Sequence, residues 1–523
     1  MHSAQVIIAG GGPAGLAAAV ELGRRGVRCL LAEPRVTIDQ DRPRAKTTSI
    51  RTMEHLRRWG LAGRLRAAAP LKVSWSQDVI FCTGLLGEEL TRFSGAFGLY
   101  DRRADHIAEP GQQVPQPVVE RVLREAVAEL PAVTWLGGHA VTAVEDRGDR
   151  VLATLAGPDG GAVTAEAEYL LGCDGAGGVT RPAIGAAYQG SSGERPNLSV
   201  VFRAPGLAAR LDLPPAVQYW VVGRATAGLM GRLDLAGRWW AIVQGVDARR
   251  GPADPEALVR DLLGGPAAAG VELEIVATDP WVARMLLADR YRSGRVFLVG
   301  DAAHLNPPWG GHGFNTCVGD AVNIGWKLAA VLAGWGGPGL LDTYEPERRP
   351  VAAQTIADSS AQERLLAPSF AGLPRPDLAT ALRAKAGEFH SEGLVLGYHY
   401  AGSPIVAADP APAPAHDPMT YHGSARPGAR LPHAWLPDGR SLYDTLGPGF
   451  TLLRLSPSAD PGPFERAAAV RGVPLAVTDP PGLPDPGRYG APLVLVRPDQ
   501  HVAWRGDGGD PGRVLDLARG AIG

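Results

Sequence analysis

The chain has 523 residues, 45% hydrophobic and 20% charged, the balance of a globular protein long enough for two to four domains. Its net charge of −2 excludes binding to nucleic acid or to an anionic membrane through a bulk positive field. Four scattered cysteines (Cys29, Cys82, Cys173, Cys317), with no C-x-x-C pair, exclude a disulfide scaffold and a zinc ribbon, and no metal ligand set is expected.

The first strand-like run begins at Gln5, which leaves no room for a signal peptide, and no apolar stretch reaches membrane-spanning length. A cytoplasmic protein is expected. The run Val6-Ile7-Ile8-Ala9 predicts a buried strand that leads through Gly10-Gly11-Gly12-Pro13-Ala14-Gly15 into an alanine-rich helix reaching about Arg25. Gly26 ends that helix, and 27–33 predicts a second strand, so the chain opens as a βαβ unit. Helical spacing recurs over 117–130, and strands are expected within 139–155 and 163–171. Four β-like runs follow, at 197–204, 216–223, 227–234 and 238–246, as an antiparallel sheet inserted into the α/β chain. Tyr219, Trp220, Trp239 and Trp240 lie in it, as core or as the aromatic wall of a substrate pocket. Alternation puts Trp239 and Trp240 on opposite faces, and Tyr219, Trp220 and Trp240 are the pocket candidates. A buried strand at 296–299 precedes a glycine-rich loop and a helix over 315–332. The Pro-, Ala- and Gly-rich stretch 402–432 reads as a linker to a small α/β module, with strands near 450–455, 473–477 and 493–497. The implied divisions are 1–180 and 281–400 as two parts of one domain, 181–280 as the inserted sheet, 401–432 as linker and 433–523 as the last module.

Gly10-x-Gly12-x-x-Gly15 has the setting of a dinucleotide fingerprint: strand before, helix after, and Glu33 at the end of the next strand. Gly10 permits the tight turn, Gly12 lets backbone approach a pyrophosphate, and Gly15 lets helix and strand pack closely. The helix amides that follow, with Pro13 and Ala14 at its start, face the phosphates. Glu33 is suited to accept from a ribose diol. A second glycine-rich loop, Pro307-Pro308-Trp309-Gly310-Gly311-His312-Gly313-Phe314-Asn315, ends at a helix start whose amides can stabilise negative charge. Pro308 offers a rigid wall without an amide donor. His304 reads as a structural hydrogen-bonder. His312, Pro308 and Arg44 are the candidates for a chemical role, and no residue is assigned as a base.

Three segments carry a resemblance: the fingerprint, Gly172-Cys173-Asp174-Gly175 with Arg181, and Gly300-Asp301 through Asn315. With them the chain resembles the single-component FAD-dependent aromatic hydroxylases, the p-hydroxybenzoate and phenol hydroxylase family, in particular its actinobacterial branch that tailors polyketides, indolocarbazoles and rifamycins. The resemblance implies an α/β fold: a Rossmann-like FAD-binding domain of the p-hydroxybenzoate hydroxylase (GR2) type, an inserted antiparallel substrate sheet, and a C-terminal thioredoxin-like domain. That last domain is matched by Val496-Arg497-Pro498-Asp499 and the run from His501 to Gly506. It lacks cysteine, so a dithiol role is excluded. The resemblance further implies FAD held by Gly10, Gly12, Pro13, Ala14 and Gly15 at the pyrophosphate and by Glu33 at the adenosine ribose. Arg44 falls near the pyrophosphate and the nicotinamide approach, Gln116 and Asp301 at the ribityl chain, and Asp174 beside the FAD. Pro308, Gly311, Gly313, Phe314 and Asn315 fall along the isoalloxazine. Gly178 stands where the family usually has serine. The implied reaction is NAD(P)H-dependent monooxygenation of an aromatic, polycyclic natural-product intermediate, with NADPH or NADH as transient reductant and O2 as co-substrate. A Baeyer–Villiger or ring-opening oxygenase on the same scaffold is the alternative, and a flavin-binding protein without oxygenase activity a further one. A small-molecule substrate is the expected partner, neither nucleic acid nor membrane, and the chain is expected to be a monomer or homodimer.

Overall fold

Val6–Ala9 lies at the middle of a six-stranded sheet ordered 292–293, 296–298, 169–172, 6–9, 29–33, 133–137 in the computed structural model. All neighbours are parallel except the terminal 292–293 pair. The structure describes residues 2–522 apart from 223–225, 248–252, 365–372, 411 and 413–414. Every residue of Val6–Ala9 and Cys29–Glu33 is buried, which is why these strands read as unbroken apolar runs and not as alternation. The helix Pro13–Gly23 starts with proline, whose fixed φ suits a first turn, and is buried from Ala14 onward. Its small residues allow the helix His312–Leu332 to cross closely: a side chain on Gly325 would meet Glu21 Cγ at 2.6 Å. Glu21 is itself buried, held by Arg25, Arg58 and the Trp59 indole N–H.

The inserted sheet is larger than the sequence suggests. It has eight strands, ordered 304–305, 274–288, 188–203, 238–244, 228–232, 218–221, 79–82, 89–93. The four expected runs are there, but Val79–Cys82 joins from upstream, parallel to Gln218–Val221, and Glu274–Ala288 joins from downstream, antiparallel to Tyr188–Arg203. No local pattern announces such pairings, since each strand's partner is supplied from elsewhere in the chain. One face packs on the helix Pro255–Leu263, with Tyr219 and Trp239 in that core. The other face carries Trp220 and Trp240 toward the flavin-type domain. The expected alternation of Trp239 and Trp240 therefore holds, with the same alternation separating Tyr219 from Trp220.

The last module has a four-stranded sheet ordered 475–478, 450–454, 493–496, 502–506. Its first pair is parallel and the other two are antiparallel, with the helices Gly462–Arg471 and Pro511–Ala518 against one face. Trp326 and Trp335, at and just beyond the end of the long helix, enter the same core. The stretch 402–432 is irregular in its described residues, yet Ala425, Arg430 and Leu431 are buried, and Arg430 forms an ion pair with buried Glu54. From about Ala425 this segment is packed structure, held by a charge pair that composition does not reveal. No helix among the described residues is long and apolar enough to cross a membrane.

Candidate active site

The turn after the first strand shows why glycine is needed there. Gly10 has φ +102°, and a Cβ on it would lie 2.4 Å from the Cys173 carbonyl oxygen. A Cβ on Gly15 would lie 1.9 Å from the Gly10 carbonyl oxygen. Gly12, by contrast, has nothing within 4 Å of the place a Cβ would occupy, so its surface is open to the cavity. Gly12 is also the N-cap of the helix and caps nothing with a side chain, which leaves the first-turn amides for a ligand. Glu33 is buried and both its oxygens are engaged. One accepts from Gly11 N–H at 2.6 Å, the other from the Arg35 amide at 2.9 Å and guanidinium at 2.7 Å. The carboxylate thus shapes the first glycine loop directly, in addition to lying at the cavity wall.

That cavity holds about 820 Å³ and is lined by Gly10, Gly12, Pro13, Ala14, Glu33, Arg44, Gln116, Asp174, Asp301, Pro308, Gly311, Gly313 and Phe314, among others. Residues from widely separated stretches of sequence therefore converge on one space. Gln116 accepts from Ala45 N–H at 3.3 Å and donates to Glu120 at 2.8 Å, so it ties the Arg44–Lys46 segment to the helix Gln116–Ala128. Asp174 turns onto Thr180, accepting its amide at 2.9 Å and its hydroxyl. That explains Gly178: a Cβ there would lie 2.0 Å from Asp174 Cγ, so a serine and this Asp174 conformation exclude each other. Asp301 lines the cavity and accepts a weak thiol contact from Cys317 at 3.5 Å.

At the second glycine loop the structure separates residues that the sequence groups together. Gly310 and Gly311 both have positive φ (+79° and +70°), a conformation glycine adopts without strain, and the helix His312–Leu332 begins with no side-chain cap. Asn315 does not line the cavity. Its side chain accepts from Ser49 N–H at 2.8 Å and donates to the Thr47 and Gly311 carbonyls, fastening the 47–49 segment to the helix. His312 is a correction. It lies off the main cavity, against a small space beside Ile50 and Ser391, and burial pushes its pKa down to about 4. The imidazole does not border the cavity that Pro308 and Arg44 line. Tyr219 is the second correction: its hydroxyl donates to Pro214 O at 2.8 Å on the far side of the sheet. Trp220 shares the cavity's face but lies beneath it, stacked on Phe81 with centroids 5.5 Å apart. Trp240 alone of the three lines the space.

Beneath the Gly300-Asp301 turn lies a polar cluster that the sequence does not show as a unit. His304 bonds Asp320 at 2.8 Å and Asn306 at 2.8 Å, and Arg348 bonds the other Asp320 oxygen at 2.7 Å. Burial opposes protonation of His304, but the Asp320 carboxylate outweighs it and the histidine pKa is raised. Its contribution to stability is therefore complete below the ordinary histidine value of about 6.5 and is lost as pH rises through the raised folded value. His304→Gln should remove this alkaline limb from a plot of melting temperature against pH. An unchanged profile would show that the pair does not titrate.

A second cavity, of about 940 Å³, opens on the same sheet face and is lined by Asn197, Ser199, Val201, Trp240, Ala277, Thr278, Trp281 and Arg284. It meets the first along Arg42, Arg44, Lys46, Trp240, Ile242, Asp301, Leu305, Asn306 and Pro308, which border both. A dinucleotide-sized slot thus ends, at the proline loop, on an aromatic-walled chamber.

Comparison with known proteins decides what that pairing is. Residues 3–359 match the FAD binding domain family, and residues 424–521 match the C-terminal domain of aromatic-ring hydroxylases. The chain belongs to the FAD-dependent aromatic-ring hydroxylases. Phenol 2-monooxygenase of a Pseudomonas species (strain EST1001) is 31% identical, over 96% of this chain and 89% of its own. Aklavinone 12-hydroxylase of Streptomyces purpurascens is 33% identical, over 97% and 96%. Among solved structures, the rebeccamycin biosynthetic enzyme RebC with reduced flavin superposes with a TM-score of 0.89 at 34% identity, over 100% of this chain and 99% of that one. The complex of aklavinone-11 hydroxylase with FAD and aklavinone gives 0.85 at 30%, covering 99% of each.

As a member of this family the chain is an FAD-dependent monooxygenase acting on aromatic substrates, with NAD(P)H as reductant and O2 as co-substrate. The open Gly12 surface, the uncapped helix and the converging glycines fit that cofactor. The chemistry supplied by bound FAD is hydride acceptance from the nicotinamide and transfer of one oxygen atom of O2. The protein's share is to hold, orient and dry the site. If Glu33 both shapes the phosphate loop and meets the ribose, Glu33→Ala should weaken FAD binding about tenfold or more in a fluorescence titration of apoprotein. Wild-type affinity would remove both roles.

Proposed function

We propose that this hydroxylase oxygenates a polycyclic aromatic substrate bound in the second cavity. The carrying observation is the size and wall of that chamber: about 940 Å³, bounded by Trp240 and Trp281 and opening on Pro308. Pockets for drug-sized ligands run to roughly 300–1,000 Å³, and this chamber lies at the upper end of that range. Relatives named for aklavinone support the reading. Within it, the pyrophosphate falls to Gly10, Gly12, Gly15, Pro13 and Ala14, the ribityl chain to Asp301 and Gln116, and the isoalloxazine to Pro308, Gly311, Gly313 and Phe314. Arg44, exposed at the junction of the cavities, is suited to the phosphates of FAD or of the incoming nicotinamide cofactor.

The test mixes purified holoenzyme anaerobically with NADPH or NADH and a panel of polycyclic phenols and quinones, then admits O2. Flavin reduction accelerated by one ligand, with a product one oxygen heavier at a ring carbon, supports the reading. A lactone or ester product would make it a Baeyer–Villiger oxygenase. No stimulation by any ligand would remove the polycyclic assignment.

A further inference from the structure

Only Lys46, Lys72, Lys327 and Lys385 are lysine among 52 basic residues, and three of them have plain structural employment. Lys327 is paired with Glu347 at 2.7 Å, Lys385 with Glu388, and Lys72 donates to the Arg66 and Ala67 carbonyls. Lys46 has no carboxylate partner among the described residues. Its ammonium donates to the Arg44 carbonyl at 3.1 Å and lies 4.4 Å from the centre of the Trp240 ring. An ammonium carries three donors; the carbonyl takes one and the ring face a second, which leaves one for a ligand.

The place is as telling as the missing partner. Lys46 and Trp240 both border the flavin cavity and the substrate chamber. Of the charged groups around it, Arg42 is closed on Asp279 at 2.7 Å, Glu388 is held by Lys385, Arg44 and Arg284 are cations like itself, and among the described residues no ion pair joins Asp301 to it. Lys46 is half-buried, and desolvation at the cavity wall pushes its pKa down to about 8.

We propose that Lys46 binds the phenolate oxygen of the aromatic substrate beside Trp240, so that the ring is presented to the flavin as its anion. This rests on the hydroxylase reading above. The substrate O–H bond breaks heterolytically, its proton passes to solvent, and its electron pair stays on oxygen under the Lys46 ammonium, which remains protonated. No oxidant or reductant is consumed in that step. A phenolate ring is more electron-rich than a phenol, and so is the better acceptor of an electrophilic oxygen.

The test uses holoenzyme with 2-hydroxyanthraquinone, whose visible spectrum separates phenol from phenolate, and 2-methoxyanthraquinone as its non-ionisable partner. Wild type should lower the bound phenol's pKa by about one unit, the equivalent of a tenfold preference for the anion. Lys46→Met should abolish that shift and weaken the hydroxy ligand about tenfold while sparing the methoxy ligand, and Lys46→Arg should restore most of it. The proposal is overturned by an unshifted ligand in wild type, by an unaltered shift in Lys46→Met, by equal weakening of both ligands, or by loss of FAD from Lys46→Met, which would assign the lysine to the cofactor. Oxygenated product formed by wild type without a phenolate shift would keep the hydroxylase and remove the Lys46 role. A shift without product from any ligand would do the reverse.

Discussion

Glu347→Ala is expected to cost about 3–5 kcal/mol, the usual penalty for stripping the partner from buried charges. Glu347 accepts two bonds from Arg497, at 2.7 and 2.8 Å, and one each from Lys327 at 2.7 Å, Asn323 at 2.7 Å and Ser403 at 2.6 Å. Arg497 also grips Asp499, which accepts from the Trp326 indole at 3.1 Å, and Arg51 donates to the Asp499 carbonyl and to Gln500. The Glu347, Lys327 and Arg497 side chains have no exposed surface. Removing this carboxylate leaves the Lys327 ammonium without its ion-pair partner and Arg497 with Asp499 alone, in a buried seam between the flavin domain and the last module. Melting of the holoprotein should drop sharply, with Glu347→Gln in between; an unchanged melting temperature for Glu347→Ala would show that the seam does not hold the module. Burial alone would raise the Glu347 pKa, but Arg497 and Lys327 outweigh it and hold the carboxyl well below the usual range. The contribution is therefore present above the unfolded value of about 4.3 and is lost as pH falls toward the depressed folded one.

Gly15→Ala is expected to yield protein with little or no bound FAD. The added methyl would sit 1.9 Å from the Gly10 carbonyl oxygen and 3.3 Å from Cys173 Cβ, so either the helix must withdraw from the strand or the phosphate turn must open. Either movement breaks the alignment of the helix amides on the pyrophosphate site proposed above, where binding would tolerate little displacement. The absorbance ratio of flavin to protein reads the outcome, and Gly12→Ala is the control. With nothing within 4 Å of its Cβ position, Gly12→Ala should fold normally and lose FAD only through the ligand's own approach. Full FAD content in Gly15→Ala would show that the close crossing is not what sets the loop.

The first βαβ unit was legible because each requirement is local. Unbroken apolar residues mark a strand covered on both faces, and glycines mark places where a Cβ would strike backbone. The alternation of Trp239 and Trp240 was legible for the same reason, since pleating alone fixes it. Which face looks at the cavity was not legible, so Tyr219, one residue from Trp220, entered the pocket list although it lies on the opposite face. His312 misled in a similar way. A glycine loop determines that the chain can bend there, but the turn at Gly310 and Gly311 decides where the next imidazole goes.

What the sequence alone determined, then, is the chemistry class of the protein: a dinucleotide turn, a flavin-side proline and glycine loop, and a cysteine-free final module, all written in short contiguous stretches. Tertiary structure decided the rest. It set Val79–Cys82 beside Gln218–Val221, Arg497 onto Glu347, and Lys46 onto Trp240 where the two cavities meet. The physical reason is common to all three. A backbone conformation is specified by its own residues, whereas a strand's neighbour, a buried ion's partner and a cavity's opposite wall each come from a distant segment that only the folded core brings within a few ångströms.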